Sequence, residues 1–141
     1  MMKILLGLMV VLLILSSCSK RKIDKIENYL LDGTWKVQAY TDDGEDKTSD
    51  FNNLVFTFKS DGVLALEGIV SVNGTWDVSK ETDGDDDDLF DKKHFELIIN
   101  VPYPYDQVSE DWEIENYSDT KFELKDVSGD GSEEILIFTK N

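Results

Sequence analysis

The stretch Leu54-Val55-Phe56-Thr57-Phe58-Lys59-Ser60-Asp61-Gly62-Val63-Leu64-Ala65-Leu66 decides the fold class. Leu54, Phe56 and Phe58 alternate with Val55, Thr57 and Lys59, the period of two that sends one set of side chains to one face of a strand. Ser60-Asp61-Gly62 supplies a tight turn, and Leu64 and Leu66 restart the alternation behind it. Two alternating runs joined by so short a turn form an antiparallel hairpin.

The same period extends in both directions. Upstream, Trp35, Val37 and Ala39 alternate with Lys36, Gln38 and Tyr40. Downstream come Val72, Gly74, Trp76 and Val78, then Phe95, Leu97 and Ile99. Trp112 and Ile114 alternate with Asp111, Glu113 and Glu115, and Phe122 and Leu124 with Lys121, Glu123 and Lys125. The closing run from Ile135 to Phe138 is apolar on both faces, so periodicity does not tell its inward side. About eight strands at short regular spacing predict an all-β barrel or sandwich. Most links are short and no helical pattern lies between strands, so the connections are antiparallel. The exceptions are long loops after Tyr40 and after Ser79, and an irregular stretch marked by Pro102 and Pro104. Ahead of the strands, Ile23, Ile26, Tyr29 and Leu30 recur at helical spacing and end at Asp32-Gly33, which predicts a short helix. Trp35-Lys36-Val37, Trp76-Asp77-Val78 and Trp112-Glu113-Ile114 share an aromatic-charged-aliphatic order that strand alternation explains. The repeated Gly33-Thr34-Trp35 and Gly74-Thr75-Trp76 leave an ancient duplication open.

A chain of 141 residues holds one ordinary domain. Thirty acidic against 14 basic residues give a formal charge of -16, which excludes general nucleic-acid binding, because phosphate contacts need Lys and Arg. One cysteine excludes an internal disulfide framework and multi-cysteine metal sites. The single histidine, His94, cannot build a site that needs two imidazoles.

The N-terminus specifies an address. Lys3 precedes a nearly unbroken apolar run from Ile4 to Leu15, the plan of a secretory signal and too short to span a bilayer comfortably. Leu15-Ser16-Ser17-Cys18 follows, and this resembles the lipobox of bacterial lipoproteins. That resemblance implies cleavage before Cys18, acylation of Cys18 and tethering to the lipid bilayer by more than one chain, since a single chain anchors only marginally. Lys20, Arg21, Lys22 and Lys25 sit directly behind the lipid, where each charge adds about 1 kcal/mol beside anionic head groups; a solvated linker explains them equally well. The expected organisation is a signal peptide over 1–17, a lipidated stem and short helix over 18–32, and a barrel domain over 33–141.

Taken in order, several motifs resemble the lipocalin-like lipoproteins of Gram-negative bacteria. They are the lipobox, the short helix, Gly33-Thr34-Trp35-Lys36-Val37, Phe56-Thr57-Phe58-Lys59-Ser60-Asp61-Gly62, Gly74-Thr75-Trp76, and Tyr117-Ser118-Asp119-Thr120-Lys121-Phe122-Glu123-Leu124. The resemblance spans essentially the whole mature chain and implies an eight-stranded, lipocalin-like up-and-down barrel in the cell envelope, at the outer membrane. In lipocalins a Gly-x-Trp on the first strand closes the base of the barrel, and Gly33-Thr34-Trp35 matches it. The lipocalin disulfides are absent and the barrel is shorter, which argues against a deep ligand cup.

Candidate sites are few. Trp35, Trp76 and Trp112 fall on inward faces, where they would line a small-molecule pocket or simply fill a small barrel; the apolar company favours filling. Tyr103 and Tyr105, with Pro102 and Pro104, form an aromatic-proline loop suited to recognition. Asp83, Asp85 and Asp87, among neighbouring aspartates, offer oxygen ligands for a weak calcium site, although a solvated acidic loop is the commoner meaning. Asp126-Val127-Ser128-Gly129-Asp130-Gly131-Ser132 starts like a calcium loop but has Ile137 where the bidentate Glu belongs, so it reads as a hairpin turn. Glu113 and Glu115 share an outward face and read as surface charge rather than a glycosidase pair. No nucleophile, base and orienter come together, and no cofactor is expected. The expected function is a non-enzymatic envelope lipoprotein whose barrel binds a small apolar ligand or an envelope partner protein. The alternative is an interaction or inhibitor module acting through acidic and aromatic loops around a filled core.

Overall fold

The computed structural model describes residues 19–81 and 94–141. Cys18 and the aspartates Asp83, Asp85 and Asp87 lie outside the described residues. A helix, α1, covers 19–31, followed by β1 (Trp35–Asp42), β2 (Glu45–Asp46), β3 (Val55–Phe58), β4 (Val63–Glu67) and β5 (Val72–Glu81). After them come β6 (His94–Asn100), β7 (Asp111–Tyr117), β8 (Lys121–Val127) and β9 (Glu133–Lys140). Short 3-10 turns sit at Thr48–Phe51 and Asp106–Val108.

Neighbours in the sheet follow chain order from β3 to β9, and β1 pairs with both β3 and β9. The wall is therefore a closed, antiparallel, up-and-down barrel of eight strands, the lipocalin-like architecture, with the two-residue β2 as a small ribbon beside β1. The closures are unequal. β1 lies along β9 over its whole length, whereas it meets β3 only at Trp35–Phe56.

Most predicted inward positions are buried: Trp35; Leu54, Phe56 and Phe58; Leu64 and Leu66; Trp76 and Val78; Phe95, Leu97 and Ile99; Trp112; Phe122 and Leu124. Val37, Ala39, Val72, Gly74 and Ile114, predicted inward as well, are half-buried. The undecided last strand turns Leu136 and Phe138 inward and leaves Ile135 exposed. Two strands depart from simple alternation: β7 shifts register between Ile114 and Asn116, and β1 shifts as well. The register of β1 shifts between Val37 and Ala39, so a bulge resets its phase and Tyr40, not Ala39, is buried.

An up-and-down barrel places alternate connections at opposite ends. Helix α1, the turn over 59–62 and the turn over 118–120 share one end, the helix end. The segment over 43–54 and the loops over 68–71, 101–110 and 128–132 share the other, the distal end. The helix plugs its end of the barrel with Ile26 and Leu30, both fully buried. It stops at Gly33, whose φ of 78° continues the chain where a side chain would strain it. Lys140 then ties the helix exit to the last strand, 3.0 Å from Asp32 and over the Trp35 ring.

The two hairpin turns form as read. Lys59 N donates to Val63 O at 2.9 Å around Gly62 at φ 82°, and Ser128 N donates to Ser132 O at 2.9 Å around Gly131 at φ 87°. The two Gly-Thr-Trp triplets are not equivalent. Gly33 supplies the helix stop, whereas Gly74 lies where the end of β6 crosses the barrel mouth. A Cβ on Gly74 would collide with Asn100 O and stand 2.8 Å from Val101 Cα, both backbone atoms with little room to move. Gly74→Ala is therefore expected to destabilise by about 1–3 kcal/mol, measured by urea unfolding. An unchanged midpoint would mean that the mouth is looser than this crossing implies.

Candidate functional site

Among the described residues the interior is built of aromatic and aliphatic side chains packed on one another. Trp35 and Phe122 meet edge to face at 5.3 Å, Phe58 meets Trp76 in the same way at 5.3 Å, and Phe56 packs on Phe138 at 4.9 Å. Each tryptophan N–H is already engaged: Trp35 Nε1 donates to Leu30 O at 3.0 Å, Trp76 Nε1 to Lys59 O at 2.9 Å and Trp112 Nε1 to Val108 O at 2.9 Å. All three acceptors belong to connecting segments, so the tryptophans fasten the helix, a turn and a loop onto the barrel. Among the described residues no buried side-chain N or O lacks a partner. A ligand entering the barrel would thus find no polar group waiting to orient it.

The two tyrosines singled out from the sequence sit at the distal end with different roles. Tyr105 is half-buried, and its hydroxyl donates to Val70 O at 3.1 Å, which links the loop over 101–105 to the loop over 68–71. Tyr103 is 83% exposed. The neighbouring loop contributes Ile69, fully exposed at 101%, and Val70 at 47%. Sequence reasoning passed over these two residues. The available signal was an apolar pair between Gly68 and Ser71, where a hairpin connection ordinarily carries polar residues. Ile69, Val70, Pro102 and Tyr103 are thus an apolar group exposed on two loops that the Tyr105–Val70 bond links.

Carboxylates crowd the same end. Glu134 accepts from the Tyr40 hydroxyl at 3.3 Å. Burial and the neighbouring Asp42 hold the Glu134 carboxyl above its usual range, and burial with Asp126 and Glu134 does the same for Glu110. Burial, then Glu134 and Asp42, push the Tyr40 hydroxyl upward as well. Among the described residues, no three His, Cys, Asp or Glu side chains are placed to hold a metal ion. Glu113 contacts His94 Nδ1 at 2.6 Å on the outer wall, while Glu115 is exposed next to the register shift of β7.

The raised carboxyls predict a pH dependence. A folded protein that holds carboxyl protons more tightly than the unfolded chain binds more protons than it between the ordinary carboxyl pKa and the raised one. Stability therefore rises as pH falls through that window. The opposing groups, Asp46 and Asp130, are held below their usual range by bonds from Thr48 and Ser132, and their contribution is lost only on further acidification. The melting temperature is expected to climb from neutral to about pH 5 and to fall below about pH 4. Glu110→Gln with Glu134→Gln should raise stability at neutral pH and flatten the climb. An equal climb in the double variant would trace it to Glu27, which burial and then Asp24 also hold above the usual range, or to the overall charge.

No family model, curated protein or solved structure matches this chain. Among the described residues no helix is long and apolar enough to cross a membrane.

Proposed function

We propose that this chain is a non-enzymatic, lipid-anchored protein of the bacterial cell envelope, tethered at the outer membrane through acylated Cys18. Its lipocalin-like barrel recognises a partner protein through the distal loops instead of carrying a small apolar molecule inside. The observation that carries this reading is the filled interior. The space a carrier would leave open is occupied by Trp35, Trp112, Phe56, Phe58, Phe122 and Phe138, all inaccessible or nearly so to solvent. Interiors packed this closely admit a guest only at the cost of displacing side chains. The two most exposed large apolar side chains among the described residues, Ile69 and Tyr103, lie on loops, and Tyr103 gives contact area at low conformational cost.

Native mass spectrometry of the protein taken from its own envelope tests the reading. The expected spectrum shows the lipidated chain with no retained small molecule, and a protein complex that dissociates when Tyr103 is replaced by serine. A stoichiometric small mass that survives purification, and that Trp76→Phe releases, would favour the carrier instead.

A further inference from the structure

Among the described residues, the charge of the barrel is divided along its axis. The helix end, the anchor end of the proposed lipoprotein, carries Lys22 over the Phe95 ring, Lys25 over Tyr29 and Lys140 over Trp35. At the distal end the connections and the strand ends beside them carry Asp42, Asp46, Glu67, Asp106, Glu110 and Asp130 among other carboxylates. Among the described residues, the lysines of that half are Lys47, 3.2 Å from Asp42, and Lys125, 3.5 Å from Glu133, and both are occupied by those carboxylates. The apolar group of Ile69, Val70 and Tyr103 lies within this acidic end, flanked in the chain by Glu67 and Asp106.

We infer that the distal end is a docking surface for a basic, apolar-bearing protein segment, whose apolar side chains cover Ile69, Val70 and Tyr103 while its Lys or Arg residues meet the surrounding carboxylates. This rests on the surface-recognition reading and adds the chemistry of the partner. Two observations support it. An exposed isoleucine, valine and tyrosine stand on two loops that the Tyr105–Val70 bond fastens together, so apolar surface is offered from neighbouring segments of one end. The acidic surround disfavours a second copy of this chain, because two such ends would repel. It disfavours an anionic lipid surface for the same reason, and it attracts cations along the axis. A Lys or Arg on the partner would meet carboxylates here, with Lys47 and Lys125 as the lysines of this half among the described residues, both already paired.

The test uses the full lipidated protein in discs of zwitterionic lipid, with empty discs as the blank. The probes are a synthetic peptide of alternating lysine and leucine and an all-lysine peptide of equal charge, both followed by fluorescence anisotropy. The lysine–leucine peptide is expected to bind about tenfold more tightly than the all-lysine peptide. Ile69→Ser with Tyr103→Ser should abolish that preference, and Glu67→Gln with Asp106→Asn should weaken both peptides at low salt. Asp61→Asn with Asp119→Asn, at the anchor end, should change neither. All six positions are exposed, so melting curves should match the parent and exclude misfolding. Equal binding of the two peptides, or equal weakening by anchor-end and distal substitutions, would reduce the effect to overall charge and overturn the inference. So would bridging of added zwitterionic vesicles that Ile69→Ser with Tyr103→Ser abolishes, because the apolar group would then be a membrane contact. A partner complex in the native spectrum alongside indifference to these peptides would overturn the inference alone. A retained small molecule would instead overturn the recognition reading beneath it.

Discussion

Trp35→Ala and Trp112→Ala are each expected to lower stability by about 3–5 kcal/mol, the range for removing a large aromatic from a packed core. Both indoles are fully buried. They serve opposite ends of the barrel: Trp35 holds the helix end through Leu30, and Trp112 holds the 3-10 turn through Val108. Truncation therefore opens a cavity and strands a buried carbonyl that has lost its donor. Domains of this size are stable by about 5–15 kcal/mol in total, so either change takes a large share. Trp76 retains 8% exposure and packs on one ring, Phe58, which makes its loss the mildest of the three. Urea unfolding of the three variants and of the matching Trp→Phe variants would check this order. Phenylalanine restores most of the volume but not the N–H, so its residual loss isolates the fastening bonds. If Trp35→Ala and Trp112→Ala both unfold at the parent's midpoint, the indoles do not carry the core, and a binding role for them returns.

The barrel was legible because its signal is local. Leu54, Phe56 and Phe58, or Phe95, Leu97 and Ile99, each declare a half-buried strand without reference to any other segment, and short links between such strands leave few topologies. What escaped depends on long-range geometry. The bulge that turns Tyr40 inward is set by the pairing of β1 with β9 and leaves no mark in the alternation of β1. Phe51, Val101 and Val108 are core residues held by loops and 3-10 turns, where periodicity says nothing. The candidate site was legible by half. Tyr103 stood out by its company of prolines. Ile69 and Val70 became part of the same surface only once the barrel had put the loop over 68–71 beside the loop over 101–105. The division of charge is similar: its residues are plain in the sequence, but their sorting to two ends requires knowing which loops share an end.

Cys18→Ser is expected to abolish acylation and to release the protein from the membrane. The motive is the Leu15-Ser16-Ser17-Cys18 motif, which supplies the one thiol in the chain. The fold adds a geometric consequence. Within the described residues helix α1 runs from residue 19 and buries Ile26 against the barrel. An acyl anchor at Cys18 would thus be separated from the first fully buried helix residue by about 12 Å of helix, not by a long flexible tether. The basic residues of that helix would then lie close to the bilayer, with the acidic distal end pointing away from it. Basic contacts of about 1 kcal/mol each are weakened by salt, whereas two or more acyl chains are not. Wild-type protein should therefore remain with membranes through a high-salt wash and take up labelled fatty acid, and the variant should do neither. The apolar run itself must be separated from the lipid, because an uncleaved precursor would also sediment. A second form of Cys18→Ser, with residues 1–17 exchanged for a signal that the ordinary signal peptidase removes, makes that separation. If this form still sediments after the salt wash, the anchor is not the acylated cysteine, and the orientation drawn from it falls as well.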